Sequence, residues 1–261
     1  MGEQAVCLTI AGSDSSAGAG IQRDLKSFQD FGLKGCSVIT ALTAQNPNEI
    51  IDIQPLTLNF IKGQLKAICS YYKPTVIKTG MLYKAEIIHL INDFLSNLNH
   101  DFKLIVDPVM IATSGKRLLD EKALNELQKL IKSAYLVCPN IPECHYLNES
   151  DSCEDSLLLA KEYCSKIQTN VLLKGGHAKI EKATDYLIMS DKTYSFEADR
   201  LDIKDRESLH GTGCALSSAI AANIAKGLVL DEAVLEAKKY LLNFLAKQNA
   251  LPVPSISVKS V

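Results

Sequence analysis

The stretch Leu209-His210-Gly211-Thr212-Gly213-Cys214-Ala215-Leu216-Ser217 concentrates residue types that could do chemistry. Gly211 and Gly213 let the backbone approach an anion with no Cβ in the way. Ala, Leu, Ile and Ser continue at helical spacing through residue 225, so the glycine turn opens a buried helix. A helix start offers unpaired N–H groups and the positive end of the macrodipole, which suits an anion. Cys214 falls in the first turn, where a thiol pKa of about 8.5 tends to be lowered. An anion hole beside an activatable thiol is a catalytic arrangement. Close packing of a helix on a sheet accounts for the same glycines equally well.

Further candidates follow aliphatic runs. Asp107 after Ile105-Val106 could hold Mg²⁺ or cap a turn. Asn140 and Glu143, three apart at a helix start, fit a capping box, and also a metal-and-phosphate site. Lys174 beside Gly175-Gly176 could pair with a phosphate or be solvated. Asp24, one turn beyond Gly20, is a poor choice for a plain apolar helix face. His177 and His210 border glycines, where a turn role and phosphate binding are both open. Two reaction classes survive: phosphoryl transfer, needing an anion hole, a divalent metal and a positioned alcohol, and thiol catalysis by Cys214 with His210 nearby. Thiol catalysis leaves Asp107, Asn140 and Glu143 without a role. Phosphoryl transfer employs all of them.

The elements that must position these residues alternate along the chain. Strands are expected at 5–11, 36–44, 74–78, 103–106, 135–138 and 170–174, with a hairpin over 183–189 and 193–198. Helices are expected at 21–31, 58–70, 85–95, 123–131, 156–167, 212–226 and 231–247, with a short one opening near 140–143. The tail from residue 250 carries two prolines and is expected to be mobile. Such alternation means βαβ units, hence a mostly parallel sheet with helices on both faces and ligands at the carboxyl ends of the strands. The first strand runs into a Gly/Ser loop, 12–20, that invites a dinucleotide reading. G-x-G-x-x-G fails there because Arg23 takes the third glycine position, and no Gly-Lys-Ser/Thr follows for a Walker A loop.

Composition narrows the class. The chain has 261 residues, 47% hydrophobic and 22% charged, with a formal net charge of −2. That is one large or two small domains with a full core, without the basic excess of a nucleic-acid binder. No basic segment followed by an apolar run marks a signal peptide, and the longest small-apolar run, 212–228, is broken by Lys226 and too short for a membrane span. A cytoplasmic protein with no membrane or nucleic-acid partner is expected. Eight scattered cysteines without a C-x-x-C read as reduced thiols, and Cys138, Cys144 and His145 match no usual zinc spacing.

Taken together, the blocks resemble a known family. They are Ala11–Ser16 with Gly18–Gln22 and Asp24-Leu25-Lys26, Val38–Asn46, Lys78–Leu82 and Val106–Met110. Ala112–Gly115, Pro139–Glu143, Leu173–His177 and His210–Cys214 complete the set. In this order, from about residue 5 to 245, they resemble the hydroxymethylpyrimidine/phosphomethylpyrimidine kinases of thiamin biosynthesis, of the ribokinase-like superfamily. The resemblance implies one three-layer α/β/α domain over 1–261. It implies ATP and Mg²⁺, a homodimer, and two successive phosphoryl transfers to 4-amino-5-hydroxymethyl-2-methylpyrimidine. It places the pyrimidine on Gly12, Asp24, Gln45, Met81 and Val109. Asp107, Asn140, Glu143 and Lys174 would serve Mg²⁺ and the ATP phosphates, with Asp107 and Glu143 reaching the metal through water. Gly211, Thr212, Gly213 and Cys214 would form the anion hole, with the thiol as base. Ala17 and Arg23 depart from the usual glycine and small residue. The runner-up is a thiol-type pyridoxal kinase; those relatives tend to carry a second Cys where Met110 stands.

Overall fold

The computed structural model describes residues 5–111, 115–149, 155–176, 182–203 and 205–261. The chain runs β1 (Val6–Asp14), α1 (Gly20–Asp30), β2 (Lys34–Gln45), β3 (Ile50–Pro55), α2 (Leu58–Tyr72), β4 (Val76–Thr79), α3 (Ala85–Ser96) and β5 (Lys103–Val106). It continues with α4 (Leu124–Lys132), β6 (Leu136–Val137), α5 (Ile141–Asn148), α6 (Ser156–Ile167), β7 (Asn170–Leu173), β8 (Lys182–Ile188) and β9 (Thr193–Asp199). The last elements are α7 (Arg206–Leu209), α8 (Thr212–Ala225), α9 (Leu230–Gln248) and β10 (Ile256–Ser260).

The strands form one sheet in the order β10-β9-β8-β7-β6-β5-β4-β1-β2-β3. From β2 to β7 every pairing is parallel, and both margins are antiparallel. Alternate residues of β1 explain why its run is continuously apolar. Leu8 and Ile10 enter the core that α2 and α3 cover with Ile61, Leu65, Ile87 and Ile91. Cys7 enters the opposite core with Phe28 of α1, Ile220 of α8 and Val234 of α9. A strand covered on both faces has no polar side to show.

Three elements differ from the sequence expectation. β3 pairs antiparallel with β2, Ala44 opposite Asp52, and its adjacent Ile50 (buried) and Ile51 (exposed), followed by Asp52 and Gln54, give no clean alternation. α7 is a single turn, too short for a periodicity. The tail, expected to be mobile, instead carries β10, paired with β9 from Ile256↔Ala198 to Ser260↔Tyr194. The open edge of β9 supplies the partner that the tail's own sequence does not reveal. Among the described residues no helix is long and apolar enough to cross a membrane.

Candidate active site

The parallel strands deliver their carboxyl ends to one margin of the sheet. The residue after each strand is tied to the neighbouring strand. Gly80 N–H donates to Ile10 O (3.0 Å), Asp107 N–H to Thr79 O (3.0 Å), and Lys174 N–H to Pro139 O (2.8 Å). Gly80, Asp107, Asn140 and Lys174 therefore sit side by side because adjacent strands share register.

Asp107 is buried. Its Oδ1 accepts from Lys174 Nζ at 2.7 Å and its Oδ2 from Ser217 Oγ at 2.9 Å. Burial alone would raise its pKa; Lys174 and Lys78 outweigh burial and hold the carboxyl below its ordinary range. Lys174 Nζ also lies 3.9 Å from Glu143 Oε2. Burial would deprotonate Lys174, but Asp107 and Glu143 raise its pKa, so it stays an ammonium. The cap and the functional reading of Asn140 and Glu143 prove compatible. Asn140 Oδ1 accepts from Glu143 N–H and Glu143 Oε2 accepts from Asn140 N–H, both at 2.8 Å. That reciprocal cap fixes Glu143 beside Lys174. Burial pushes the Glu143 carboxyl up to about 7, with Asp107 adding, while Lys174 and the N–H groups of Asn140 and Met110 oppose.

The start of α8 faces the same group. Gly211 holds the turn at φ 77°, a conformation in which a Cβ would strike Gly18 O. A Cβ on Gly213 would lie 3.6 Å from Lys174 Nζ and 3.9 Å from Asp107 Oδ2, so the bare glycine leaves the helix start open onto that ion pair. Thr212 Oγ1 donates to Leu209 O at 3.1 Å. Cys214 departs from expectation. Burial of its sulfur pushes the thiol up to about 11, with Asp24 and Asp107 adding, and Lys78 and the Gly20 N–H only partly compensating. Part of the residue's surface stays open, but the atoms packed round the sulfur decide the direction.

Met81 packs its sulfur 3.0 Å from where a Cβ on Gly12 would be, and its carbonyl accepts from Thr40 Oγ1 at 2.8 Å. Met81 and Val109 belong to one small apolar cluster with Ile50 of β3. Gln45, at the end of β2, is half-buried, its amide 3.3 Å from His210 Nε2 and 3.1 Å from Thr43 Oγ1. The resemblance sets the Asp24 carboxylate against the pyrimidine, and the structure shows what else it holds. It is wholly buried, and its carboxylate accepts from Lys78 Nζ (2.7 and 2.8 Å), Thr9 Oγ1 (2.6 Å) and Ser218 Oγ (2.6 Å). The pair thus lies beneath the site, under Gly80, whose missing Cβ would be 3.4 Å from Lys78 Nζ.

Sequence reasoning placed Lys78, Ser217 and Asp14 in motif blocks but gave none of them a role of its own. A lysine inside the aliphatic run 76–79 is the signal that could have found Lys78. His210, left open between turn and phosphate roles, instead donates to Asp14 at 2.7 Å. The Arg23 guanidinium carbon lies over the Phe244 ring, 4.4 Å from its centroid, and Nε donates to Gly18 O at 3.1 Å, bracing the loop that packs on Gly211. Residues 112–114 of the quoted blocks, and His177, lie outside the described residues. Cys138 and Cys144 are buried core thiols, and among the described residues no cluster of three metal-ligating side chains is found.

The family model described as phosphomethylpyrimidine kinase matches residues 14–255, nearly the whole chain. The chain belongs to the phosphomethylpyrimidine kinase family. A curated member, the hydroxymethylpyrimidine/phosphomethylpyrimidine kinase of Rhizobium meliloti, is 40% identical over 241 residues, covering 91% of this chain and 89% of that one. The crystal structure of phosphomethylpyrimidine kinase from Clostridium difficile superposes with a TM-score of 0.79 at 38% identity, covering 92% of this chain and 99% of that one. The fold also matches the pyridoxal kinase from Staphylococcus aureus in complex with AMP-PCP and pyridoxal. There the TM-score is 0.85 at 27% identity, and both chains are covered in full. The ribokinase-like architecture of the family is the one described above.

Proposed function

We propose that this chain is an ATP-dependent kinase that phosphorylates 4-amino-5-hydroxymethyl-2-methylpyrimidine and then phosphorylates the resulting monophosphate. The observation that carries it is Lys174, held between Asp107 and Glu143, beside the bare Gly213 in the first turn of α8. This is a receptor for a polyanion with a fixed cation at its floor. Gly211 to Cys214 present backbone N–H groups to the transferring phosphoryl group, and Lys174 meets its charge. Gln45, Met81, Val109 and Gly12 receive the pyrimidine, the amide matching ring polar atoms and the thioether lying on a ring face. Asp24 supports this site from beneath, through Lys78 and Ser218.

Phosphoryl transfer through a loose transition state asks little of the base that takes the hydroxyl proton. With its pKa raised to about 11, Cys214 holds its own proton at neutral pH, so it takes the hydroxyl proton only from its minority thiolate form, and turnover should rise with pH toward that value. Mg²⁺ fits the donor set: two carboxylates, Asp107 and Glu143, stand at the phosphate end. Mg²⁺ is ordinarily held by one or two carboxylates together with water and substrate phosphates rather than by an all-protein cage. Asp107 and Glu143 would hold it, and when bound it would neutralise phosphate charge.

Work as a cytoplasmic homodimer completes the proposal. Pyridoxal is the competing acceptor, on the strength of the fold shared with the Staphylococcus aureus enzyme. Magnesium-dependent ATP consumption with each acceptor in turn tests the choice. Turnover confined to pyridoxal contradicts it.

A further inference from the structure

Asp14, His210, Gln45 and Thr43 form a cluster whose donors and acceptors can be counted through. Asp14 Oδ1 accepts from Ser16 N–H and Oγ, both at 2.8 Å. Its Oδ2 accepts from Gly18 N–H (3.1 Å), Ala19 N–H (2.8 Å) and His210 Nε2 (2.7 Å). Burial would raise the Asp14 carboxyl, but the His210 and Ser16 bonds outweigh it and hold it near 2. Asp14 is a carboxylate, so the nitrogen facing it must bring a hydrogen. His210 Nε2 therefore donates to Asp14.

The consequence falls on Gln45, whose amide end is 3.3 Å from that same nitrogen. With its one hydrogen directed at Asp14, that nitrogen has no lone pair for an amide NH₂, whereas the amide oxygen can share the hydrogen as a second, longer acceptor. In the structure Thr43 Oγ1 donates to Gln45 Oε1 at 3.1 Å and Nε2 faces His210; turning the amide over brings its NH₂ to Thr43 Oγ1, which then accepts while its own hydrogen goes to Ser13 O at 3.0 Å. One NH₂ hydrogen and one lone pair of the oxygen stay available to a ligand, in fixed order. The imidazole cannot swing away: a Cβ on Gly18 would run into it, and the next residue, Gly211, packs on the Gly18 carbonyl.

We infer that His210, held by Asp14, is a positioning residue that sets which end of the Gln45 amide faces each part of the pyrimidine. The site thereby selects a ring edge carrying an exocyclic amine beside an unprotonated ring nitrogen. It rejects the keto edge, in which an oxygen acceptor stands beside a ring N–H. Sites built to pair a specific donor and acceptor reject the reversed order strongly, because buried polar groups are left unmatched. This inference rests on the pyrimidine-kinase reading above.

The test compares 4-amino-5-hydroxymethyl-2-methylpyrimidine with its 4-oxo analogue in wild type, His210→Ala and Thr43→Val, with unfolding midpoints recorded for each. The wild-type chain should prefer the amine in kcat/KM by roughly a hundredfold. His210→Ala should lower that preference about tenfold through KM for the pyrimidine, with KM for ATP unchanged. Thr43→Val, which removes the other amide partner, should lower it in the same direction and keeps the question open should His210→Ala fail to fold. An unchanged preference in a folded variant overturns the inference. If wild type phosphorylates neither pyrimidine, the kinase reading fails first. Calorimetric affinities for the two compounds then decide the amide orientation, and equal affinities or no binding overturn it.

Discussion

A methyl group placed on Gly213 would stand 3.6 Å from Lys174 Nζ, in ordinary van der Waals contact. The chain therefore has room there for an alanine, and the glycine is spared for something that enters from outside. Gly213→Ala should fold with an unfolding midpoint near wild type and yet lose at least tenfold in kcat/KM for ATP. Gly211→Ala is the contrasting case. Its φ of 77° and its approach to the Gly18 carbonyl should make that variant unstable as well as inactive. Thermal unfolding and steady-state kinetics on the two variants separate the roles; a Gly213→Ala enzyme with full turnover would remove the anion hole from the account.

Cys214 carries a thiol pushed up to about 11. Its alkylation by iodoacetamide should be slow at pH 7 and accelerate about tenfold per pH unit until that value is approached. Cys214→Ala should lower kcat by about a hundredfold or more, the usual worth of a positioned base, with little change in unfolding midpoint. Alkylation already complete and pH-independent near neutrality would show a thiolate and contradict the burial argument.

Glu143 provides a stability test whose sign follows from its shift. Its ordinary value of 4.5 is raised to about 7 in the folded chain, so the folded state holds more protons than the unfolded one between those limits. Stability must therefore fall as pH rises through that window, and remain lower above it. Glu143→Gln keeps an acceptor for the Asn140 N–H and leaves Lys174 paired with Asp107. It should melt higher than wild type at pH 8 and match it near pH 5. The same substitution should weaken Mg²⁺-ATP use at pH 8, where the carboxylate is needed. A variant less stable than wild type at pH 8 would contradict the assignment.

Ala17 adopts φ 60°, the left-handed conformation that favours glycine. The residue is exposed, and its N–H donates to Asp14 O at 3.0 Å. Ala17→Gly relieves that strain but frees the unfolded chain, leaving a net gain of up to about 1 kcal/mol. An unfolding midpoint a few degrees higher, with unchanged kinetics, is expected. A fall in midpoint would show that the loop carries no strain at this position.

The alternation of aliphatic strands and amphipathic helices made the sheet legible, because parallel strands covered on both faces must be apolar throughout. The site's edge was legible for the same reason: Asp107, Asn140 and Lys174 stand out only as polar residues ending apolar runs. Asn140 and Glu143 showed their spacing, though not that one reciprocal cap could serve both packing and function. Charge pairing across the sequence was hidden. Lys78 and Asp24 are 54 residues apart, and Asp14 and His210 are separated by 196, so only the fold reveals that each partner is consumed by the other. The raised thiol of Cys214 was hidden likewise, since a helix start is visible in the sequence and the packing around a sulfur is not. β10 depended on the open edge of β9, a tertiary fact.

The central claim is tested most directly by identifying products by mass spectrometry after incubating the chain with Mg²⁺, ATP and 4-amino-5-hydroxymethyl-2-methylpyrimidine. The account predicts the pyrimidine monophosphate first and the diphosphate after it, with two ATP consumed per pyrimidine. Absence of both products, with pyridoxal phosphate formed when pyridoxal is supplied instead, would contradict it.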